Sequence, residues 1–182
     1  MKGEIANVYI HLGNEKYVAG DYQGAIADFT QAISLKPDYA EAYNNRGVAK
    51  SNLGDYRGAI ADYTETIRLK PNDAVAYFNR GNAKSVLRDY RGVIADFSEA
   101  IRLKPDDAVA YNNRGTVKYE SGDKEGAIAD FNKAIHLKPT IREELAALTI
   151  ASTLCLVISP TTTATRWFKK EAITFVSSMG TI

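Results

Sequence analysis

Residues 40–73 read AEAYNNRGVAKSNLGDYRGAIADYTETIRLKPND, and residues 74–107 read AVAYFNRGNAKSVLRDYRGVIADFSEAIRLKPDD. The second stretch is the first with a few substitutions, displaced by 34 residues. The same spacing carries Pro37, Pro71, Pro105 and Pro139, and Tyr9, Tyr43, Tyr77 and Tyr111. It also carries Gly13, Gly47, Gly81 and Gly115, then Asp21, Asp55, Asp89 and Asp123, then Ile26, Ile60, Ile94 and Ile128. A fixed period of this length means stacked copies of one supersecondary unit, none of which buries its apolar face alone.

Within residues 40–73 the pattern is helical. Tyr43, Gly47 and Lys50 recur at helical spacing, as do Ala42, Arg46, Ala49 and Leu53. Gly54 stops the first helix, because glycine suits the left-handed residue after a helix end. Asp55 follows, where its charge favours the start of the next helix. Ala59, Ile60, Tyr63 and Ile67 give the second helix one apolar face, and Pro71 ends it. The unit is a helix–turn–helix.

The residues that recur resemble the tetratricopeptide repeat pattern: an aromatic, Leu-Gly, an alanine with an aromatic four residues later, then proline. Repeat one has Tyr9, Leu12-Gly13, Ala25, Phe29, Ala32 and Pro37. Repeat two has Tyr43, Gly47, Ala59, Tyr63 and Pro71. Repeat three has Tyr77, Gly81, Val93, Phe97, Ala100 and Pro105, and repeat four has Tyr111, Gly115, Ala127, Phe131, Ala134 and Pro139. The resemblance implies an all-α protein, a right-handed α–α superhelix of antiparallel helix pairs with one or more C-terminal capping helices. Its four units fall at 6–39, 40–73, 74–107 and 108–141, with an apolar cap or tail over 142–182.

Three departures from that pattern carry expectations. Arg88 stands where the other units have the turn glycine. A non-glycine residue in the left-handed region costs about 1 kcal/mol, so a slightly different or looser turn is expected there. Gly24, Gly58, Gly92 and Gly126, early in the second helices, read as sites of close helix packing. Arg46, Arg80 and Arg114 replace the leucine of Leu-Gly on a face that, in the resembled family, meets the preceding repeat. Repeat one keeps Leu12 and has no preceding repeat. Three arginines therefore match three preceding aspartates, which predicts the inter-repeat pairs Arg46–Asp28, Arg80–Asp62 and Arg114–Asp96. A partly buried charge wants a hydrogen-bonded partner, and these pairs would fix the stacking register.

Composition excludes several function classes. The chain has 182 residues, 45% hydrophobic and 25% charged, with a net charge of +1. That balance lacks the basic surplus a nucleic-acid binder needs. The single thiol, Cys155, rules out an intrachain disulfide framework or a CxxC knuckle. With only His11 and His136 besides it, no metal set of the usual His/Cys count can be assembled. The glycines fall singly and never as a phosphate loop. No catalytic constellation emerges, so the reading is of a non-enzyme without a cofactor. The N-terminus has no apolar signal region, which points to the cytoplasm.

One stripe of each first helix lies on the side that, in the resembled family, lines a concave groove. It reads Asn7, Ile10, His11, Asn14 and Tyr17 in repeat one, and Glu41, Asn44, Asn45, Val48, Ser51 and Asn52 in repeat two. Repeat three gives Val75, Phe78, Asn79, Asn82, Ser85 and Val86, and repeat four gives Val109, Asn112, Asn113, Thr116 and Tyr119. Asparagine is a mediocre helix former, so its concentration on one face asks for a reason. A carboxamide both donates and accepts, so it can bond a peptide backbone whatever the side chain. Asn45, Asn79 and Asn113 form a ladder of one amide per repeat, with Asn14, Asn44, Asn82 and Asn112 adding polar contacts. His11 lies on the same stripe, and Phe78, Tyr17 and Tyr119 could hold apolar side chains. The competing reading is that the asparagines merely solvate the inner face. A carboxylate clamp of lysine and arginine is not expected, because Asn44, Phe78 and Asn79 occupy its positions.

At residue 142 the repeat fails. Residues 142–158 read as a further helix whose Leu145 and Leu148 would pack on repeat four, continuing into Ile150 and Leu154–Ile158. Residues 166–178, with Trp167, Phe168, Ile173, Phe175 and Val176, read as a second helix. The tail would bury itself as a cap or in a homo-oligomer interface. A membrane anchor over 145–165 is the weaker reading, because its strongly apolar part is about 14 residues, short of the roughly 20 of a spanning helix. The third is an exposed, disordered tail. The leading expectation is a scaffold binding an extended peptide of a partner protein. The alternatives are a self-assembling module built on the tail, or a membrane-tethered adaptor.

Overall fold

A computed structural model describes residues 2–138, which form eight α-helices and, among those residues, no strand. They are α1 (Lys2–Val18), α2 (Tyr22–Leu35), α3 (Ala40–Asn52), α4 (Tyr56–Leu69), α5 (Ala74–Val86), α6 (Tyr90–Leu103), α7 (Ala108–Glu120) and α8 (Lys124–Leu137). Each helix packs on its neighbours in sequence, and α3 also touches α1 and α5. The first helices of successive pairs therefore lie side by side as one layer. The architecture is an all-α repeat superhelix.

The turns inside each pair are built alike. After α3 the chain passes through Gly54 at φ 80°, whose N–H reaches Ser51 O at 3.0 Å while the Asp55 N–H reaches Lys50 O at 2.9 Å. Asp55 then caps α4, its Oδ1 accepting from the Gly58 N–H at 2.9 Å. Arg88 occupies the same conformation, at φ 58°, with the equivalent bonds to Ser85 O at 2.9 Å and Lys84 O at 3.1 Å. The expected loosening does not occur. The turn keeps its geometry and the arginine carries the strain.

The two glycine sets divide the work differently from expectation. A Cβ on Gly24, Gly58, Gly92 or Gly126 would overlap the carboxylate of Asp21, Asp55, Asp89 or Asp123, the capping residue three positions before it. These glycines first make room for the cap; at Gly24 and Gly92 a Cβ would also lie 2.9 Å from the Lys16 or Lys84 side chain of the neighbouring helix. Close helix packing belongs to the other set: a Cβ on Gly47 would lie 2.8 Å from the Tyr63 ring, and one on Gly81 2.9 Å from the Phe97 ring. Those rings are buried and form the core of each pair, with Ala59 and Ala83 beside Tyr63, and Val93 and Val117 beside Phe97.

The arginines pair within repeats, which corrects the expected inter-repeat partners. Arg46 donates from Nε and Nη2 to the two carboxylate oxygens of Asp62 at 2.9 and 2.7 Å. Arg80 does the same to Asp96 at 3.0 and 2.7 Å, and Arg114 to Asp130 at 2.8 and 2.7 Å. Asp28 is reached instead by Lys16, at 2.6 Å. An antiparallel helix pair closed by a short turn sets residues sixteen apart opposite each other, so the nearest carboxylate is the arginine's own. Matching three arginines to three aspartates does not discriminate, since repeats two to four hold three of each. The arginine does meet the preceding repeat, but through a hydroxyl: Nη1 of Arg46, Arg80 and Arg114 donates to Thr30, Thr64 and Ser98 at 3.1, 3.1 and 3.0 Å. A lysine one turn on completes each cluster, with Lys50, Lys84 and Lys118 at 2.8, 2.8 and 2.9 Å from Asp62, Asp96 and Asp130.

Candidate functional site

The inner layer is made by α1, α3, α5 and α7, and hydrogen bonds between their asparagines show which side chains share its face. Asn45 Nδ2 on α3 donates to Asn14 Oδ1 on α1 at 3.0 Å. Asn113 Nδ2 on α7 donates to Asn82 Oδ1 on α5 at 3.4 Å. The place that Asn14 and Asn82 hold in their helices is taken in α3 by Val48, which packs on the core. Asn79 accordingly turns to another partner, donating to Asn44 Oδ1 at 3.4 Å, and Asn44 donates to Asn45 Oδ1 at 3.3 Å. One amide chain thus runs Asn79–Asn44–Asn45–Asn14 across three repeats. The 31-residue interval of Asn14–Asn45 and Asn82–Asn113, visible beside the 34-residue period, is the signal that could have revealed these bonds beforehand.

The predicted ladder residues are therefore half-buried, and each donates to another asparagine on the preceding first helix. Capacity remains. An amide carries two donors and one two-fold acceptor, and among the described residues nothing donates to Oδ1 of Asn79 or Asn113. Asn112 lies on the same face, half-buried, with its backbone carbonyl accepting from Thr116. His11 is exposed and pairs with Glu15 at 3.3 Å on its own helix.

The aromatic candidates separate. Phe78 packs its ring on Phe97 with centroids 5.5 Å apart, so much of it belongs to the core and only its edge is offered to the face. Tyr17 packs on Tyr22 and accepts from Asn52 Nδ2 at 3.1 Å, which ties α1 to α3. Tyr119 is 60% exposed.

Charge on this layer is distributed unevenly. The cations of α3, α5 and α7 are Arg46 and Lys50, Arg80 and Lys84, Arg114 and Lys118. All six are bonded to Asp62, Asp96 or Asp130, whose side chains are 4–6% exposed. Burial pushes the Asp130 carboxyl up, but the bonds and charges of Arg114 and Lys118 outweigh it and hold the carboxyl below its ordinary value. The Arg114 guanidinium is raised in turn, chiefly by its bond to Asp130. No cation of these helices is free to meet an anion on the inner face. Among the described residues no group of three or more His, Cys, Asp or Glu is placed to hold a metal, and no helix is long and apolar enough to cross a membrane. The apolar span 145–165 and the proposed cap or oligomer interface over 142–182 lie outside the described residues.

The tetratricopeptide repeat profile matches residues 40–73 and 108–141, and a related TPR-repeat profile matches residues 13–54. Among solved structures, MamA from residue 41 to its end, from Desulfovibrio magneticus RS-1, superposes with a TM-score of 0.74 at 21% identity, covering 98% of this chain and 96% of that one. The Arabidopsis OM64 tetratricopeptide domain superposes with a TM-score of 0.64 at 28% identity, over 66% of this chain and 99% of that one. The first such domain of Spaghetti (RPAP3), bound to the HSP90 peptide SRMEEVD, gives 0.64 at 24% identity, over 65% and 94%. No curated protein sequence matches the chain. Period, helix pairing, core glycines and profile matches converge: the chain belongs to the tetratricopeptide repeat family.

Proposed function

We propose that the chain is a non-enzymatic protein-interaction scaffold that receives an extended, uncharged segment of a partner protein on the inner face of its first helices. Tetratricopeptide repeats are interaction scaffolds, and a curved stack of helix pairs offers one long surface. The observation that carries the choice of ligand is the neutralisation of that surface. Its six cations on α3, α5 and α7 are consumed by buried aspartates, and what remains is amide and apolar apart from the exposed acids Glu41 and Glu120. Asn45, Asn79 and Asn113 would bond the backbone of the segment, exchanging their bonds to Asn14, Asn44 and Asn82, two of which are as long as 3.4 Å, for bonds to the ligand. The RPAP3 domain is bound to a peptide ending in two glutamates, valine and aspartate. An acidic tail of that kind finds no free cation on α3, α5 or α7.

The test is peptide capture by the full chain and by the variant N45A/N79A/N113A, with helicity and melting measured in parallel. Each lost hydrogen bond is worth about 1 kcal/mol, so the variant should bind selected peptides roughly 10- to 100-fold more weakly. Unchanged affinity in a folded variant would remove the ladder from the reading.

A second reading, self-association, is favoured by α1. Ile5, Val8 and Leu12 share one helix face and are 45%, 57% and 39% exposed. Val8 and Leu12 hold the places that Ala42 and Arg46 hold inside the stack. Light scattering on the full chain and on Leu12→Arg decides it: a concentration-dependent mass that the variant abolishes supports this reading, and a monomeric wild type ends it.

A further inference from the structure

The first helices of repeats two, three and four read AEAYNNRGVAKSN, AVAYFNRGNAKSV and AVAYNNRGTVKYE. Seven of their thirteen positions are identical. Those include the tyrosine, arginine, glycine and lysine that build the core and the ion clusters. Of the six that differ, one is the buried Ala49, Ala83 and Val117 position. The other five are Glu41/Val75/Val109, Asn44/Phe78/Asn112, Val48/Asn82/Thr116, Ser51/Ser85/Tyr119 and Asn52/Val86/Glu120. All five lie on the stripe around the asparagine ladder, and on that stripe only Asn45, Asn79 and Asn113 stay the same. Copies of one unit that keep the ion-cluster residues, the core glycine and the ladder, yet differ around it, present a different local environment at each repeat.

The differences have a direction. Where α3 has Glu41, Asn44 and Asn52, α5 has Val75, Phe78 and Val86. In α7 the same three places are Val109, Asn112 and Glu120, polar at two of the three, so α5 alone is apolar at all of them. Val75 and Val86 are each 57% exposed. Scattered exposed apolar residues are ordinary, but these share one helix face with the free edge of Phe78. That face carries no charge, since Arg80 and Lys84 both turn to Asp96. Its neighbours carry Glu41 and Glu120.

We infer that α5 is the specificity-determining element of the groove: it takes an aliphatic or aromatic side chain of the bound segment, flanked by uncharged residues that the amides of α3 and α7 hold by their backbone. The occupant is a neutral or weakly basic peptide with an apolar residue near its middle. Apolar contact with Val75, Phe78 and Val86 supplies selectivity, and the flanking glutamates disfavour acidic flanks. This rests on the groove-binding reading of the preceding subsection and adds to it which repeat discriminates.

The probe is a phage-displayed library of random linear peptides, selected in parallel on the full-length wild type, on V75N/V86N and on V75E/F78N/V86N. The last converts the face of α5 to that of α3. The first variant changes only exposed side chains and keeps Phe78 on Phe97, so it stays informative if the second fails to fold. Wild type should enrich neutral peptides sharing one aliphatic or aromatic position, and V75N/V86N should bind those peptides roughly tenfold or more weakly, with the shared position lost from its own selection. If wild type enriches peptides without a shared apolar position, or V75N/V86N recovers the same consensus at the same affinity, α5 is not the discriminating element, while groove binding through the ladder stands. If wild type enriches nothing, or only acidic peptides, this inference and the reading beneath it both fall.

Discussion

Replacing Asp96 with asparagine removes one charge from a cluster in which Arg80 contacts both oxygens, at 3.0 and 2.7 Å, and Lys84 stands at 2.8 Å. The Asp96 side chain is 4% exposed, whereas those of Arg80 and Lys84 are 16% and 19% exposed. Breaking a buried pair by deleting one partner costs about 3–5 kcal/mol, because the survivor is left buried and uncompensated. Here both survivors lie nearer the surface and can turn partly to water, so the low end, about 3 kcal/mol, applies. For a chain of this size that is a fall in Tm of roughly 6–12 °C. The assay is urea and thermal unfolding of wild type, D96N, R80M and R80M/D96N, followed by circular dichroism. The double-mutant cycle should give a coupling of about 1–3 kcal/mol for Arg80 with Asp96, and under about 0.5 kcal/mol for Arg80 with Asp62 in the preceding repeat. Asp28, which has Lys16 but no arginine, should lose about half as much on D28N as Asp96 does on D96N. A coupling that appears between Arg80 and Asp62 instead, or a D96N cost below about 0.5 kcal/mol, would refute the intra-repeat cluster as the element that joins the two helices.

Arg88→Gly should stabilise the fold by about 1 kcal/mol in urea titration, since φ 58° strains arginine and not glycine. Gly81→Ala should destabilise by about 1–3 kcal/mol, because its Cβ would lie 2.9 Å from a Phe97 ring that is 1% exposed and cannot retreat. The Asp130 carboxyl is held below its ordinary 3.8, so its contribution is complete above that value and is lost as pH falls through the lower folded value; D130N should flatten the acid limb of stability against pH. Tyr63 is shifted the other way: burial raises its hydroxyl from 10.0 to about 12, so the stability it contributes is complete below pH 10.0 and disappears between there and about pH 12. Y63F should keep its stability over that window. The peptide SRMEEVD should bind no better than a scrambled version in a fluorescence titration.

The fold was legible because its determinants repeat. Tyr43, Gly47, Ala59, Tyr63 and Pro71 recur in register, and one set of residues observed four times removes the ambiguity that a single short helix leaves. What the period could not reveal is which of two partners, 18 residues before it or 16 after it, an arginine takes. Arg46 is one repeat-length from ambiguity: Asp28 and Asp62 are offset by the same 34 residues that relate every other pair. Only the packing of α3 on α4 decides. The function of Gly58 was missed for a related reason. Small size reads as close approach, and the object approached, the Asp55 cap three residues away, is local rather than on another helix.

The candidate site was legible in outline because it holds five of the six first-helix positions at which the copies differ. Periodicity is a constraint: each repeat must offer its neighbour the same Ala, Gly and aromatic contacts, and Asp62, Asp96 and Asp130 must each meet the same arginine and lysine. Those residues cannot vary without opening the stack. The inner face carries no such obligation, apart from the asparagine that links each repeat to the one before. The bond from Asn79 shows how tolerant even that link is, since Val48 displaces it and Asn44 accepts it instead at the same 3.4 Å as the bond between Asn113 and Asn82. A surface whose inter-repeat bonds are exchangeable and whose neighbouring side chains are unconstrained can acquire a ligand preference at little cost in stability. The buried aspartates serve the same end from behind. By taking up the six cations of α3, α5 and α7 they hold the stack together, and they leave a face without a free cation from those helices.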